Sequence, residues 1–161
     1  MADIVVDGWT RVSFVAAVAN INAPSAGSEL TPGLLLASVM TPDGLEGFEP
    51  STADVDNSAL NSTFDTKTIG RDSFSGTMLR LKKQSGTDTA WTTLTRGTTG
   101  FIVVRRYMDN ATAWAASQAV NVYPIICGQR RELKPEANSV AKWEVDTKIT
   151  STCAIYVLTA A

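Results

Sequence analysis

Within residues 138–152, the nine residues 141–149 alternate strictly between two sides of a strand pattern. Ala141, Trp143, Val145, Thr147 and Ile149 fall on one side of a two-residue period, and Lys142, Glu144, Asp146 and Lys148 fall on the other. Such alternation is the mark of a strand with one face on a core and the other in water or on a partner. A helix would scatter the same residues around its circumference. Trp143, in the middle of the apolar side, is large enough to anchor a two-layer packing. The pattern predicts a long, half-buried strand.

The same reading along the rest of the chain gives about seven or eight strands and one short helix. In residues 9–20, Val12, Phe14, Ala16 and Val18 alternate, while Val15, Ala17 and Ala19 make the other side apolar too. A strand covered on both faces fits, with a short buried helix as the alternative. Residues 22–28 read as a loop. Residues 34–40 form an apolar run bounded by Pro32-Gly33 and Pro42-Asp43-Gly44, which predicts another strand. Residues 41–70 are rich in Ser, Thr, Asp and Asn and hold Pro42, Gly44, Gly47, Pro50 and Gly70, so a long acidic loop of a functional kind is expected. Residues 72–81 return to strand character.

Residues 87–94 predict a short helix capped by Thr87 or Asp88, turning Ala90, Trp91 and Leu94 to the core. Residues 101–107 are an apolar strand, 109–118 a hairpin loop, and 154–158 a last apolar run. Residues 120–127 are a strand that Pro124 assigns to a sheet edge or a bulge. With no βαβ rhythm and no internal repeat, the chain is expected to be mainly β. The architecture is an antiparallel sandwich or barrel with one flanking helix and a long loop.

Composition narrows the chemistry. At 161 residues and 44% hydrophobic content the chain is expected to be a single domain with a sizeable core. No run approaches the roughly 18 apolar residues of a membrane span, and the first residues lack the basic start of a secretory signal. The two cysteines, Cys127 and Cys153, sit in apolar runs and read as small buried hydrophobes of a reducing compartment, with a disulfide as the alternative. The absence of histidine removes Ser-His-Asp and Cys-His nucleophiles and the commonest zinc ligand. No catalytic grouping and no cofactor site stands out.

Three motifs are weaker than they look. Asp54-Val-Asp-Asn-Ser opens like a calcium loop, but Ala59 stands where glycine is expected and Asp65 where the loop ends in glutamate, so an acidic turn-rich loop is the better reading. Asn61-Ser-Thr63 and Asn110-Ala-Thr112 match glycosylation sequons in a Ser/Thr-rich chain without a signal sequence. Lys82-Lys83, Arg105-Arg106 and Arg130-Arg131 are dispersed pairs in a protein of pI near 5.1, better suited to strand ends or subunit contacts than to a nucleic-acid groove. The net charge of −2 hides a split, −8 over residues 1–66 and +6 over 67–161. That asymmetry suggests surfaces of opposite sign that complement one another, or an interaction patch of one sign.

The order of features then becomes familiar. Thr87-Asp-Thr-Ala-Trp-Thr-Thr-Leu-Thr-Arg-Gly-Thr-Thr-Gly-Phe-Ile-Val-Val-Arg-Arg106 resembles the short helix, glycine turn and apolar strand of the major tail tube proteins of long-tailed bacteriophages. Ala119-Val-Asn-Val-Tyr-Pro-Ile-Ile-Cys-Gly-Gln-Arg130 is similar to that family's following strand. The N-terminal strand, the acidic stretch 54–65 and the last long strand fall in the matching order. The resemblance implies a virion structural protein rather than an enzyme. It would be made in the host bacterial cytoplasm and assemble with itself into stacked hexameric rings, with other tail proteins at the tube ends and DNA passing through the bore.

On that footing the charge split assigns surfaces. An inter-ring contact is expected from Asp43, Glu46, Glu49, Asp54, Asp56 and Asp65, with Phe48, Leu60 and Phe64 as apolar anchors. Arg105, Arg106, Arg130, Arg131 and Lys134 are the expected receiving group. Lys142, Glu144, Asp146 and Lys148 are the expected face toward the bore. The competing class is a monomeric β-sandwich binding module of carbohydrate-binding or adhesin type. It would need an exposed aromatic platform, and with Trp91 and Trp143 read as buried only Trp9 and Trp114 remain for one.

Overall fold

The longest strand, β8, organises the rest. The computed structural model describes residues 3–161 and contains β1 (Thr10–Val15), β2 (Leu34–Leu35), β3 (Met40–Glu46), β4 (Ser51–Asp56), β5 (Lys67–Ser73), β6 (Met78–Lys82), α1 (Thr89–Thr93), β7 (Thr99–Arg106), β8 (Ala119–Glu132), β9 (Lys142–Ile149) and β10 (Ala154–Leu158). Eight strands make one antiparallel sheet in the order β2-β1-β7-β8-β9-β6-β3, with β10 beside β8. β7 lies along one side of β8, while β10 and β9 share the other side end to end. β4 and β5 form a separate hairpin. The chain is mainly β, as expected, and the sheet curls without closing into a barrel.

Alternation turns two faces of this sheet into two cores. Val12, Phe14, Ile102, Val104, Tyr123, Ile125, Trp143, Val145, Leu79 and Leu81 belong to one buried cluster that also takes Leu36, Phe48, Ala90 and Leu94. Strands at opposite ends of the order contribute to that one cluster, so the sheet is wrapped around it. The intervening residues Val15, Val103, Val120, Val122 and Ala154 make a smaller cluster on the reverse face, covered by Ala26, Leu30 and Trp114. β1 is thus covered on both sides, although it ends at Val15 and Ala16, Ala17 and Ala19 are exposed.

The helix reads as the sequence predicts. Asp88 caps it by accepting from the Trp91 amide at 3.0 Å, and Ala90 and Leu94 are buried. Trp91 packs edge-on against Trp143, with ring centroids 5.0 Å apart. A second, unpredicted helical turn spans Ala26–Leu30, overlapping the end of the stretch 22–28 read as loop, and is capped by the Ser25 hydroxyl. The chain end lies against it, with the Ala26 amide donating to the Ala160 carbonyl and the Ala160 amide donating to Pro24.

Two prolines depart from expectation. Pro124 sits in the central strand, not at an edge. Its carbonyl accepts from the Thr150 amide at 3.0 Å, so its missing donor faces the junction where β9 has ended and β10 has not begun. No ladder bond is lost there. Pro42, read as a strand boundary, lies inside β3, an edge strand whose register slips between Met40 and Leu45. Gly44 is required in that bulge, because a Cβ would run into the Arg80 carbonyl.

Residues 41–70 are therefore not one loop. They hold β3, β4 and the start of β5, and the last two form an arm that stands off the sheet. A loop was expected because β4 and β5 lack the alternation that burial imposes on a strand; every residue of β4 is exposed.

Candidate assembly surfaces

The arm is fixed at its base and bare beyond it. Gly47 turns the chain with φ of 77°, and a side chain there would collide with the Gly76 backbone. Phe48 then enters the core, its ring edge-on to Tyr123 at 5.1 Å between centroids. On the return, Phe74 meets the same Tyr123 ring at 6.0 Å. One aromatic ring thus clasps both strands where they leave and rejoin the domain.

Beyond that clasp the hairpin is held by its own ladder and by surface polar contacts. Lys67 pairs with Asp54 at 2.9 Å, and the Thr52 hydroxyl donates to Asp72 at 2.6 Å. Exposed contacts of this kind contribute about 0–1 kcal/mol each. The Asp54 stretch is accordingly strand and not a calcium loop, and Asp56 accepts from the Ser58 amide. Ser58's hydroxyl and amide hold the Asp56 carboxyl below its ordinary range.

The apolar residues of the arm lie in water. Leu60 is fully exposed, Ile69 is 82% and Phe64 75% exposed, and Val55 is open as well. Asp54 lies opposite Ile69 and Val55 opposite Thr68, so Val55 and Ile69 point to opposite faces of the hairpin. An isolated two-stranded hairpin is marginal in water, and this one presents apolar side chains on both faces without a core of its own.

Of the residues expected in the inter-ring contact, Asp43, Glu46, Glu49, Asp54, Asp56, Leu60, Phe64 and Asp65 are exposed. Phe48 is the correction. It is 1% exposed and anchors the arm from inside the domain, so it is not available to a neighbour. A phenylalanine flanked by Gly47 and Glu49 gave no local signal of that.

The basic group is divided. Arg105 is 1% exposed and donates to the carbonyls of Asp109, Thr112 and Ala113 and to the Gln118 side chain. Burial, and then Arg11 nearby, lower its pKa from the ordinary arginine value. It organises its own loop and is removed from the receiving group. Arg106 lies beyond the Val104–Asn121 pair, near the start of β8, whereas Arg130 and Arg131 lie at the far end of that strand. At about 3.3 Å per residue these positions are tens of ångströms apart, so they cannot form one patch. Arg130 stacks over Trp91, 4.2 Å from the ring centroid, and Lys134 is exposed.

The polar side of β9 is a cross-strand charge ladder. Arg80 on β6 contacts Asp43 on β3 and, at 3.2 Å, Glu144 on β9. Arg131 on β8 contacts Glu144 at 2.6 Å and Asp146 at 3.0 Å. Thr41's hydroxyl, outweighing partial burial, and then Asp43's own amide and Arg80 hold the Asp43 carboxyl below the ordinary range. Glu144 is 5% exposed beneath its two arginines, so it is not an open surface group as its place in the alternation suggested. Lys142 reaches Glu136 at 3.4 Å, and Lys148 is exposed.

Comparison with known proteins fits this architecture. Residues 1–161, the whole chain, match the phage tail tube protein family. The chain belongs to that family. A tube protein is a structural component of a tail or tail-like particle. Among solved structures, the chain is similar to one in the six-fold symmetrised baseplate of the anti-feeding prophage, with a TM-score of 0.61 and 8% identity over 97% of this chain and 99% of that one. It is similarly related to a chain from the sheath/tube terminator of an extracellular contractile injection system, with a TM-score of 0.61 and 12% identity over 94% and 96% of the two chains. At such identity the likeness is one of fold. No curated protein matches the sequence.

Proposed function

We propose that the protein is a non-catalytic building block of the virion tail, in which six copies form a ring and rings stack into a hollow tube that passes DNA during ejection. It is made in the host bacterial cytoplasm, and other tail proteins close the tube at its ends. The observation that carries this reading is the arm, anchored by Phe48 and Phe74 on Tyr123 but exposing Leu60, Phe64 and Ile69. Apolar groups presented so far from their own core have a place in an oligomer, and a head-to-tail contact that closes makes a ring.

The charge ladder suits the bore. Lys142, Glu144, Asp146 and Lys148 are the proposed lumen face, on which Arg80 and Arg131 are each occupied by carboxylates. Arginines engaged in this way are poor phosphate ligands, and a sliding polyanion must not be held, since each neutralised phosphate adds affinity. Negative-stain imaging of concentrated protein tests the proposal. Six-fold rings and hollow tubes are expected; a monomer at every concentration and salt would refute it.

A further inference from the structure

A crevice lies beside the root of the arm. A cavity of about 650 Å³ opens between the base of the arm and the turn from β9 to β10. Its apolar lining is Phe74, Ile149, Cys153 and Ile155, and the exposed bases Arg71 and Lys148 also line it. Among the described residues neither of these two bases has an ion-pair partner; one acid, Asp72, also lines the crevice and accepts from Thr52.

The rim continues the apolar surface outward. Ile155 and its neighbour Tyr156 are 48% and 76% exposed, and Tyr156 has φ of 54° with its amide held by the Asn121 side chain at 2.8 Å. A tyrosine in left-handed backbone is strained. Here the strain accompanies a register slip in β10 that leaves Ile155 and Tyr156 facing out beside the crevice.

We infer that this crevice is the seat for the arm tip of the next copy, with Leu60 and Phe64 entering between Phe74, Ile149 and Ile155 and with Asp56 and Asp65 meeting Arg71 and Lys148. The inference rests on the reading of the arm as an intersubunit contact. Charge supports the match, since residues 54–66 hold Asp54, Asp56 and Asp65 and no base. Geometry requires a second copy. The arm's own base forms one wall of the crevice, and its paired strands carry the tip about 20 Å away from it. The contact is head-to-tail, so one end of any stack bears free arms and the other bears empty seats, which gives the tube polarity.

Disulfide trapping tests the seat. Thr63→Cys and Ser151→Cys, both at exposed positions, are combined with Cys153→Ser, and the assembled protein is oxidised and run on a non-reducing gel. A ladder of covalent oligomers extending beyond dimer is expected, and neither new cysteine alone should give one. Dimers only would indicate a symmetric tip-to-tip contact and overturn the seat, as would tubes with no ladder. Charge reversal is the second arm of the test. Arg71→Glu with Lys148→Glu should raise the concentration needed for assembly at least tenfold, and adding Asp56→Lys with Asp65→Lys should restore it. Normal assembly of the first pair would overturn the seat while leaving the tube reading intact. Failure of the unaltered protein to assemble would instead defeat the tube reading and the seat with it.

Discussion

Phe48 packs edge-on against Tyr123, with ring centroids 5.1 Å apart and planes inclined by 71°. Tyr123 belongs to the central strand and Phe48 to the chain just before β4, so the pair couples the root of an exposed arm to the middle of the core. The arm is rigidly rooted yet has almost nothing of its own to hold it flat.

That contrast separates two phenylalanines sixteen positions apart in the sequence. Phe48→Ala should lower unfolding free energy by about 3–5 kcal/mol, as large-to-small changes in a packed core do. Phe64→Ala should leave denaturant stability unchanged and abolish polymer formation. Urea denaturation of the monomer and sedimentation of the assembled protein read the two effects separately.

Glu144 should matter more than its neighbour on the same strand face. Removing it takes from the Arg80 and Arg131 guanidiniums the buried carboxylate they share at 3.2 and 2.6 Å, leaving each with only more exposed acids such as Asp43 and Asp146. Glu144→Ala should cost about 2 kcal/mol, the scale of losing a charged hydrogen-bond partner. Asp146→Ala, which removes a half-exposed acceptor, should cost about 0–1 kcal/mol. Thermal unfolding of both variants gives the comparison.

Arg105 is predicted to be structural. Arg105→Ala should destabilise by about 3 kcal/mol because four oxygens lose their donor inside the fold. Arg105→Lys should not restore the loss, since an ammonium cannot reproduce a planar fork. Arg106→Ala should be nearly neutral. Hydrogen exchange in residues 108–118 should rise in the Arg105 variants alone.

The thiols give the pH dependence. Burial pushes both Cys127 and Cys153 up to about 11, and both are free. The folded state therefore favours the neutral thiol. Its contribution to stability is complete below the ordinary cysteine pKa and is lost as pH rises toward about 11. Cys127, which is 3% exposed, should resist at pH 8 a thiol reagent that reacts with it at once after unfolding. Rapid labelling of Cys127 in the folded state would contradict this.

The sequence was legible wherever burial acts on alternate residues. Trp143 and Val145 are fully buried as the period-2 pattern of β9 requires, and the Asp88 cap fixes the start of α1. It was least legible where partners lie far along the chain. Phe48 and Arg105 carry no local mark of burial, because Tyr123 and the carbonyls of residues 109–113 supply their environments. Pro124 misleads for the same reason, since only the meeting of β9 and β10 makes its missing donor harmless. The arm was hidden by composition: strands that pack on no core of their own show no amphipathic period.

If the exposed arm, and not the sheet alone, builds the tube, shortening the arm should abolish stacking. Asp56 and Lys67 are the last paired positions of the hairpin, so residues 57–66 can be replaced by a two-residue Asn-Gly turn that keeps the strands in register. Electron microscopy of this variant beside the unaltered protein is the direct test. Stacked tubes are expected from the unaltered protein, and folded subunits or single rings, without tubes, from the variant. Tubes of normal length from the variant would contradict it.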